Sequence, residues 1–210
     1  MEESNVPVIY HLDHCHSVEL CLEAVNYGYK SVMIDAADLP LEENIAAVKK
    51  VVEYAHAKGV HVEAEIGKIK RAGDEGYTPE ETLAGVEEAK RLVEETNVDA
   101  LAVSIGSEHG FYQHEPKLNY DLLNILHSNI KVPLVLHGGS GIPEEKVRQA
   151  INGGIRKVNV GTHIRYTYIK SVGEAIEKMG AMTHTADIMA YAKKNVKEVV
   201  KEWMRICTNK

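Results

Sequence analysis

Short β-branched apolar runs alternate along the chain with longer stretches in which apolar residues recur at helical spacing. The runs are residues 7–12 (PVIYHL), 31–35 (SVMID), 60–65 (VHVEAE), 99–104 (DALAVS), 132–137 (VPLVLH) and 156–160 (RKVNV). Between them the spacing predicts amphipathic helices at 17–27, 41–58, 79–96, 119–129, 143–153 and 163–179, and a last one at 187–205. Helix punctuation agrees with this reading. Thr78-Pro79-Glu80-Glu81 offers an N-cap before a proline and an acidic first turn, and Gly28 and Gly59 stand where helices should end. Regular βα alternation means a parallel sheet with helical crossovers.

The polar residues of the runs narrow the fold further. His11 to His14, Asp35, Glu63, Glu65, His109, His137 and Asn159 fall at or just beyond carboxyl ends of strands. A doubly wound sheet and a (β/α)8 barrel both bind ligands there, but only a barrel gathers every strand end around one mouth. The expectation is therefore an α/β barrel. Six runs are found where a closed barrel needs eight.

Composition removes several classes of function. The chain has 210 residues, 44% apolar and 26% charged, which suits one globular domain over 1–210. A net charge of -7 leaves no footprint for nucleic acid. No apolar run approaches the roughly 18 residues of a membrane span, so no membrane partner is expected either. Three cysteines, an odd number, argue for a reducing compartment, and the acidic start MEESNVPV is unlike a signal peptide. A cytoplasmic protein with a small-molecule substrate is expected.

His14, His109 and His137 each follow a different strand. Their spacing alone does not separate three polar loop histidines from a zinc site. Their position favours the metal, because three imidazoles with an open fourth place are one usual catalytic zinc arrangement. Asp13, beside His14, is either an acid/base next to that cation or a cap of the following helix. In an extended strand the two side chains would diverge, so both can face the mouth only where the strand ends. His11 reads as a packed residue behind the ligands, Cys15 as a small loop residue, and Ser17 as the N-cap. His56, His127 and His184, on or beside helices, read as solvated, and His61 opens a strand at the far end. The glycine-rich segments HGGSG (137–141) and KVNVGT (157–162) each lead from a strand into a helix, which suggests a phosphate cradle.

Taken in order, HLDHCHS, SVMIDAADLPLEENI, VHVEAEIG, DALAVSIGSEHGFY, PLVLHGGSGIP and KVNVGT resemble the class II, metal-dependent fructose-bisphosphate and tagatose-bisphosphate aldolases, over residues 6 to about 179. The resemblance implies a (β/α)8 barrel, here incomplete, with about six of eight βα units and without the first two. It implies Zn²⁺ on His14, His109 and His137, with a monovalent cation as a further cofactor. Asp13 would handle the proton of the aldehyde-derived hydroxyl. Gly110, Gly138, Gly139, Ser140, Asn159, Val160, Gly161 and Thr162 would bind the substrate, and Asp35 and Glu65 would hold a second cation or support the ligands.

The implied reaction is reversible retro-aldol cleavage of fructose- or tagatose-1,6-bisphosphate to dihydroxyacetone phosphate and glyceraldehyde 3-phosphate. An aldolase of inositol catabolism and a non-enzymatic metal- and phosphate-binding remnant are the alternatives. Three departures bear on activity. The loop KIKRAGDEGYTPEE is shorter than usual, leaving Asp74 or Glu75 to assist proton transfer; His163 replaces an acidic residue; and His184-Thr185-Ala186 replaces Asp-Pro-Arg. An open six-strand sheet would expose its flanks, so a homo-oligomer, dimer or tetramer, is expected.

Overall fold

The computed structural model describes residues 6–71, 73–74 and 82–208. The expected cap at Thr78 to Glu81, and Glu75 in the loop before it, lie outside the described residues. Six strands, β1 (His11–Cys15), β2 (Ser31–Ile34), β3 (His61–Ile66), β4 (Ala100–Val103), β5 (Leu134–Leu136) and β6 (Ile155–Val158), form one sheet in chain order with every neighbour parallel. Helices α1 (Val18–Asn26), α2 (Leu41–His56), α3 (Val86–Thr96), α4 (Tyr120–Asn129) and α5 (Glu144–Asn152) alternate with the strands. After β6 follow α6 (Thr162–Met179) and α7 (Thr185–Thr208), which pack on each other.

The sheet is curved into an open barrel. Five strand spacings would separate β1 from β6 by about 24 Å on a flat sheet. Yet the Asn159 amide, one residue past β6, donates to Asp13 Oδ1 of β1 at 2.8 Å. Strand alternation divides the side chains into two layers. Val32, Ile34, Val62, Ala64, Ile66, Leu101, Val103, Leu134, Leu136 and Ile155 join the helices in the main core. The other face carries a small apolar plug, Met33, Ala102 and Val135. On the same face the neighbouring strands carry polar residues in register with the plug, Glu63 beside Met33, Glu65 beside Ala102 and Lys157 beside Val135.

The helices begin and end as their sequences suggest. Ser17 Oγ accepts from the Leu20 N–H at the start of α1. Gly28, just past the end of that helix, has φ +92°, a left-handed conformation that costs glycine nothing. Asn97 closes α3 in the same region, at φ +57°.

Three expectations change. The first strand is His11–Cys15, not 7–12: Val8, Ile9 and Tyr10 are more than half exposed, and register with β2 starts only at His11↔Ser31. The β-branched run has strand composition without the burial that strands need. Cys15 is a strand residue facing the core, buried, rather than a loop residue. His56 is not simply solvated; its Nε2 lies 2.9 Å from Asp99 Oδ2, and the same carboxylate oxygen accepts from the Val62 N–H, tying α2 to the base of β3.

The helix-facing layer carries most of the stability. Leu101 is fully buried in it, and Leu101→Ala should cost about 2–5 kcal/mol, read as a lowered midpoint in urea unfolding.

Candidate active site

The polar inward positions meet in one cavity of about 1000 Å³ at the carboxyl ends of the strands. How Asp13 and His14 both come to line it is the first question. The register of β1 against β2 breaks between Leu12 and Cys15, and His14 has φ +48°. This is a β-bulge: one extra residue re-aims the side chains, so consecutive residues face the same side. The strand therefore does not have to end at Asp13, as alternation suggested; it bulges and continues to Cys15. Asp13 caps nothing. Ser17 caps α1, and the Asp13 carboxylate stands half exposed at the mouth, accepting from Asn159.

His14, His109 and His137 are brought together from β1, the loop after β4 and the end of β5. Their potential ligand atoms all lie within 4.8 Å of one another. Each of two rings has a carboxylate behind it. His14 Nδ1 donates to Asp35 Oδ2 at 2.8 Å, and His137 Nε2 donates to Glu63 Oε1 at 2.8 Å. These bonds assign the tautomers: the remaining nitrogens, His14 Nε2 and His137 Nδ1, carry lone pairs. They face each other at 2.7 Å. At 2.7 Å they are at hydrogen-bond distance, so without a metal one proton is shared between them, and a cation held by both would sit to the side of the line that joins them. This donor set fits a metal such as zinc, with second nitrogens oriented by carboxylates as metal-ligating histidines usually are.

The electrostatics follow the same wiring. Burial works against charge on His14, but Asp35, Asp13 and Glu63 outweigh it and raise its pKa. His137 is held below the usual value, chiefly by burial. His109 is pushed down to about 4 by burial and by the other two imidazoles, so it offers a neutral ring. Burial opposes ionisation of Asp35 and of Glu63, but their histidine partners, joined at Glu63 by Lys157, keep both pKa values low. Glu65 is the exception: burial and the neighbouring Asp35 charge raise it well above the carboxylate range. Its Oε2 is buried without a hydrogen-bond partner among the described residues, and with His14 and Asp35 it forms a second group within 4.8 Å.

His109 sits on an irregular loop pinned from outside. Its N–H donates to the Lys70 carbonyl at 2.6 Å, so the segment after β3 folds over it. Gly138 shows why glycine is needed behind His137: φ is +72°, and a Cβ would lie 2.2 Å from the Glu108 carbonyl oxygen.

Of the residues expected to bind substrate, Gly110, Gly138, Ser140, Asn159, Val160, Gly161 and Thr162 line the cavity. Gly139 is not among them; its N–H is spent on the Asn159 carbonyl at 3.0 Å, which locks the two glycine-rich segments together. Ser140 Oγ accepts from the His163 N–H in the first turn of α6. His163 itself accepts from Trp203 Nε1 at 3.1 Å, tying α6 to α7. Asp74 lines the cavity and its carboxylate accepts from the Arg71 N–H.

Sequence reading missed Glu63, buried behind His137, and Lys157, Arg71 and Arg165, which line the cavity, as site residues. The signal for Lys157 was present in the alternation of RKVNV, which puts it on the face of Asn159, two residues on. Its buried partner, Glu63, comes from a strand far away in the chain.

The family model "Fructose-bisphosphate aldolase class-II" matches residues 1–210. A fructose-bisphosphate aldolase of Staphylococcus aureus (strain Mu50) is 42% identical over 196 residues, 93% of this chain and 68% of the relative. A 6-phospho-5-dehydro-2-deoxy-D-gluconate aldolase of Bacillus velezensis is 41% identical over 207 residues, 98% of this chain and 71% of the relative. Among solved structures, the YdjI aldolase from Escherichia coli K12 superposes with a TM-score of 0.83 at 34% identity, covering 98% of this chain and 71% of its own.

Gly138→Ala should destabilise the protein by roughly 1–3 kcal/mol through backbone strain. Exposed Gly173, inside α6 with nothing within 4 Å of an added methyl, gives the opposite sign, about 0.5–1 kcal/mol of gain for Gly173→Ala. Thermal unfolding of the two variants checks the contrast.

Proposed function

Because the chain belongs to the class II fructose-bisphosphate aldolase family, a family of carbon–carbon lyases that is generally metal-dependent, we propose that it cleaves a ketose bisphosphate by a retro-aldol reaction with Zn²⁺ held by His14, His109 and His137. The observation that carries this reading is the pair of facing imidazole nitrogens, 2.7 Å apart, each set by a carboxylate behind its ring. A second, monovalent cation at Asp35 and Glu65 belongs to the same reading, since Glu65 Oε2 is buried without a hydrogen-bond partner among the described residues and groups with His14 and Asp35.

Bound at the three imidazoles, Zn²⁺ supplies the Lewis-acid charge that stabilises the electron pair left beside a carbonyl when the carbon–carbon bond breaks. The rest is work for the chain's own groups. Asp13 is the proton acceptor for the hydroxyl on the departing aldehyde carbon: it is beside the ligands, open to the cavity, and oriented by the Asn159 amide. The turn Gly138 to Ser140 and the segment Asn159 to Thr162 hold one phosphate. The first turn of α6 carries no acidic residue, so its dipole favours an anion there. Gly110, next to His109, lines the same cavity. No lysine Schiff base is required, and Lys157 is already paired with a buried carboxylate.

Fructose- or tagatose-1,6-bisphosphate is the substrate this reading puts first, with dihydroxyacetone phosphate and glyceraldehyde 3-phosphate as products. The Bacillus velezensis relative, matched over nearly the whole chain, favours 6-phospho-5-dehydro-2-deoxy-D-gluconate as a second candidate. The exposed residues before β1 and the exposed Tyr166 and Ile169 of α6 are read as contact surface of a homo-oligomer in the cytoplasm.

Purified protein should bind one equivalent of Zn²⁺ and cleave one of these three substrates, with activity lost to a chelator and restored by Zn²⁺. Stoichiometric zinc with no cleavage of any of them would leave a binding remnant instead. Asp13→Asn should lower turnover by about 10²-fold or more while the metal stays bound; loss of zinc from that variant would overturn the acid/base role.

A further inference from the structure

Lys157 is the inward residue of β6, two positions before Asn159, and it lines the cavity. Its Nζ donates to Glu63 Oε2 at 2.7 Å. The other oxygen of that carboxylate is the one that accepts from His137 Nε2. Glu63 is 3% exposed, so it has no recourse to bulk water, and each of its oxygens is engaged by a different strand. His11 Nε2, at 3.9 Å from Glu63 Oε2, is too far to take over the place of the ammonium.

A carboxylate bonded to one imidazole alone can rotate about its terminal bond, and nothing then decides which of its oxygens, or which nitrogen of the ring, makes the bond. With Lys157 on Oε2 the carboxylate plane is fixed between β3, β5 and β6. Oε1 is left as an acceptor aimed at His137, whose Nε2 must then carry the hydrogen. His137 Nδ1 thereby keeps its lone pair, which faces His14 Nε2 at 2.7 Å with the Asn159 amide nitrogen at 3.4 Å, and a cation would draw on that lone pair.

We infer that Lys157 is a positioning residue of the metal centre: acting through Glu63, it fixes the tautomer and ring plane of His137 and so sets how tightly the three imidazoles hold a cation. The inference rests on the reading of His14, His109 and His137 as metal ligands. It gives an inward lysine in an aldolase-type mouth a part in holding the metal, not in bonding to the substrate.

The test uses the full chain, stripped of metal and compared as wild type, Lys157→Met, Lys157→Arg and Glu63→Gln. Competition against a chromophoric chelator reads Zn²⁺ affinity, and ¹⁵N spectra of labelled histidine read the His137 tautomer. Lys157→Met should weaken Zn²⁺ by roughly 10–100-fold, the range for groups that orient metal ligands, and should turn the single His137 tautomer into a mixture. Lys157→Arg should restore most of both. Glu63→Gln, with one acceptor left for two donors, should weaken zinc at least as much as Lys157→Met.

Wild-type affinity and a wild-type tautomer in Lys157→Met would overturn the inference. If Lys157→Met does not fold, Lys157→Gln against Lys157→Arg makes the same comparison. If the wild type itself takes up no Zn²⁺, the metal-centre reading falls, and the tautomer measurement on the same samples still decides what Lys157 does.

Discussion

The bulge in β1 is the constraint on which the mouth depends. Alternation along an unbroken strand would send His14 to the helix layer, among Val32 and Ile34, where an imidazole would have to be paid for by a buried partner. The left-handed conformation at His14, φ +48°, instead turns it inward beside Asp13. That conformation is costly for a residue with a side chain, and the bonds that retain it are visible. His14 Nδ1 is held by Asp35 at the end of β2, and pairing resumes on the other side of the bulge at Cys15↔Ile34. Strain in the strand and order in the site are one feature.

From there the inward face is organised by charge alternation across strands. Asp35, His14, His137, Glu63 and Lys157 form a chain of hydrogen bonds running from β2 through β1, β5 and β3 to β6. Acid and base alternate along it except at the His14–His137 contact, where two imidazole nitrogens share one proton. Buried polar networks are costly when incomplete, so the incomplete contact is where a cation gains the most. The apolar plug of Met33, Ala102 and Val135 shares the inward face with these groups, Met33 in register with Glu63 and Val135 with Lys157. The helix layer on the outer face holds the shape.

Much of this was legible in the sequence because a parallel strand states its burial so plainly. In VHVEAEI the apolar residues Val62, Ala64 and Ile66 pack on helices, and Glu63 and Glu65 face the mouth, as period-two reasoning requires. Helix ends were equally readable at Ser17 and Gly28, whose chemistry is local. What could not be read depends on partners distant in sequence. The β-branched run before His11 has the composition of a strand, but pairing with Ser31, not composition, decides where β1 starts. The bulge at His14 is a property of register. Lys157 could not be assigned a place from sequence, because its partner, Glu63, is 94 residues away in the chain.

The open sheet sharpens what the site needs from its surroundings. Four of the groups that build the mouth, Asp13 and His14 on β1 and Lys157 and Asn159 at β6, belong to the two edge strands. An edge strand is held by a neighbour on one side only, so its position is the least constrained in the sheet. Here cross-barrel bonds, Asn159 to Asp13 and Lys157 to Glu63, take the place of the missing lateral neighbours at the carboxyl end. On the amino-terminal side the segment before β1 is held to the sheet by the Lys30 N–H, which donates to the Tyr10 carbonyl, and it exposes Val8, Ile9 and Tyr10. The mouth is thus tied by polar side chains and the flank is left apolar. Any surface that covers that flank will steady β1 and, through the bulge, the orientation of Asp13 and His14.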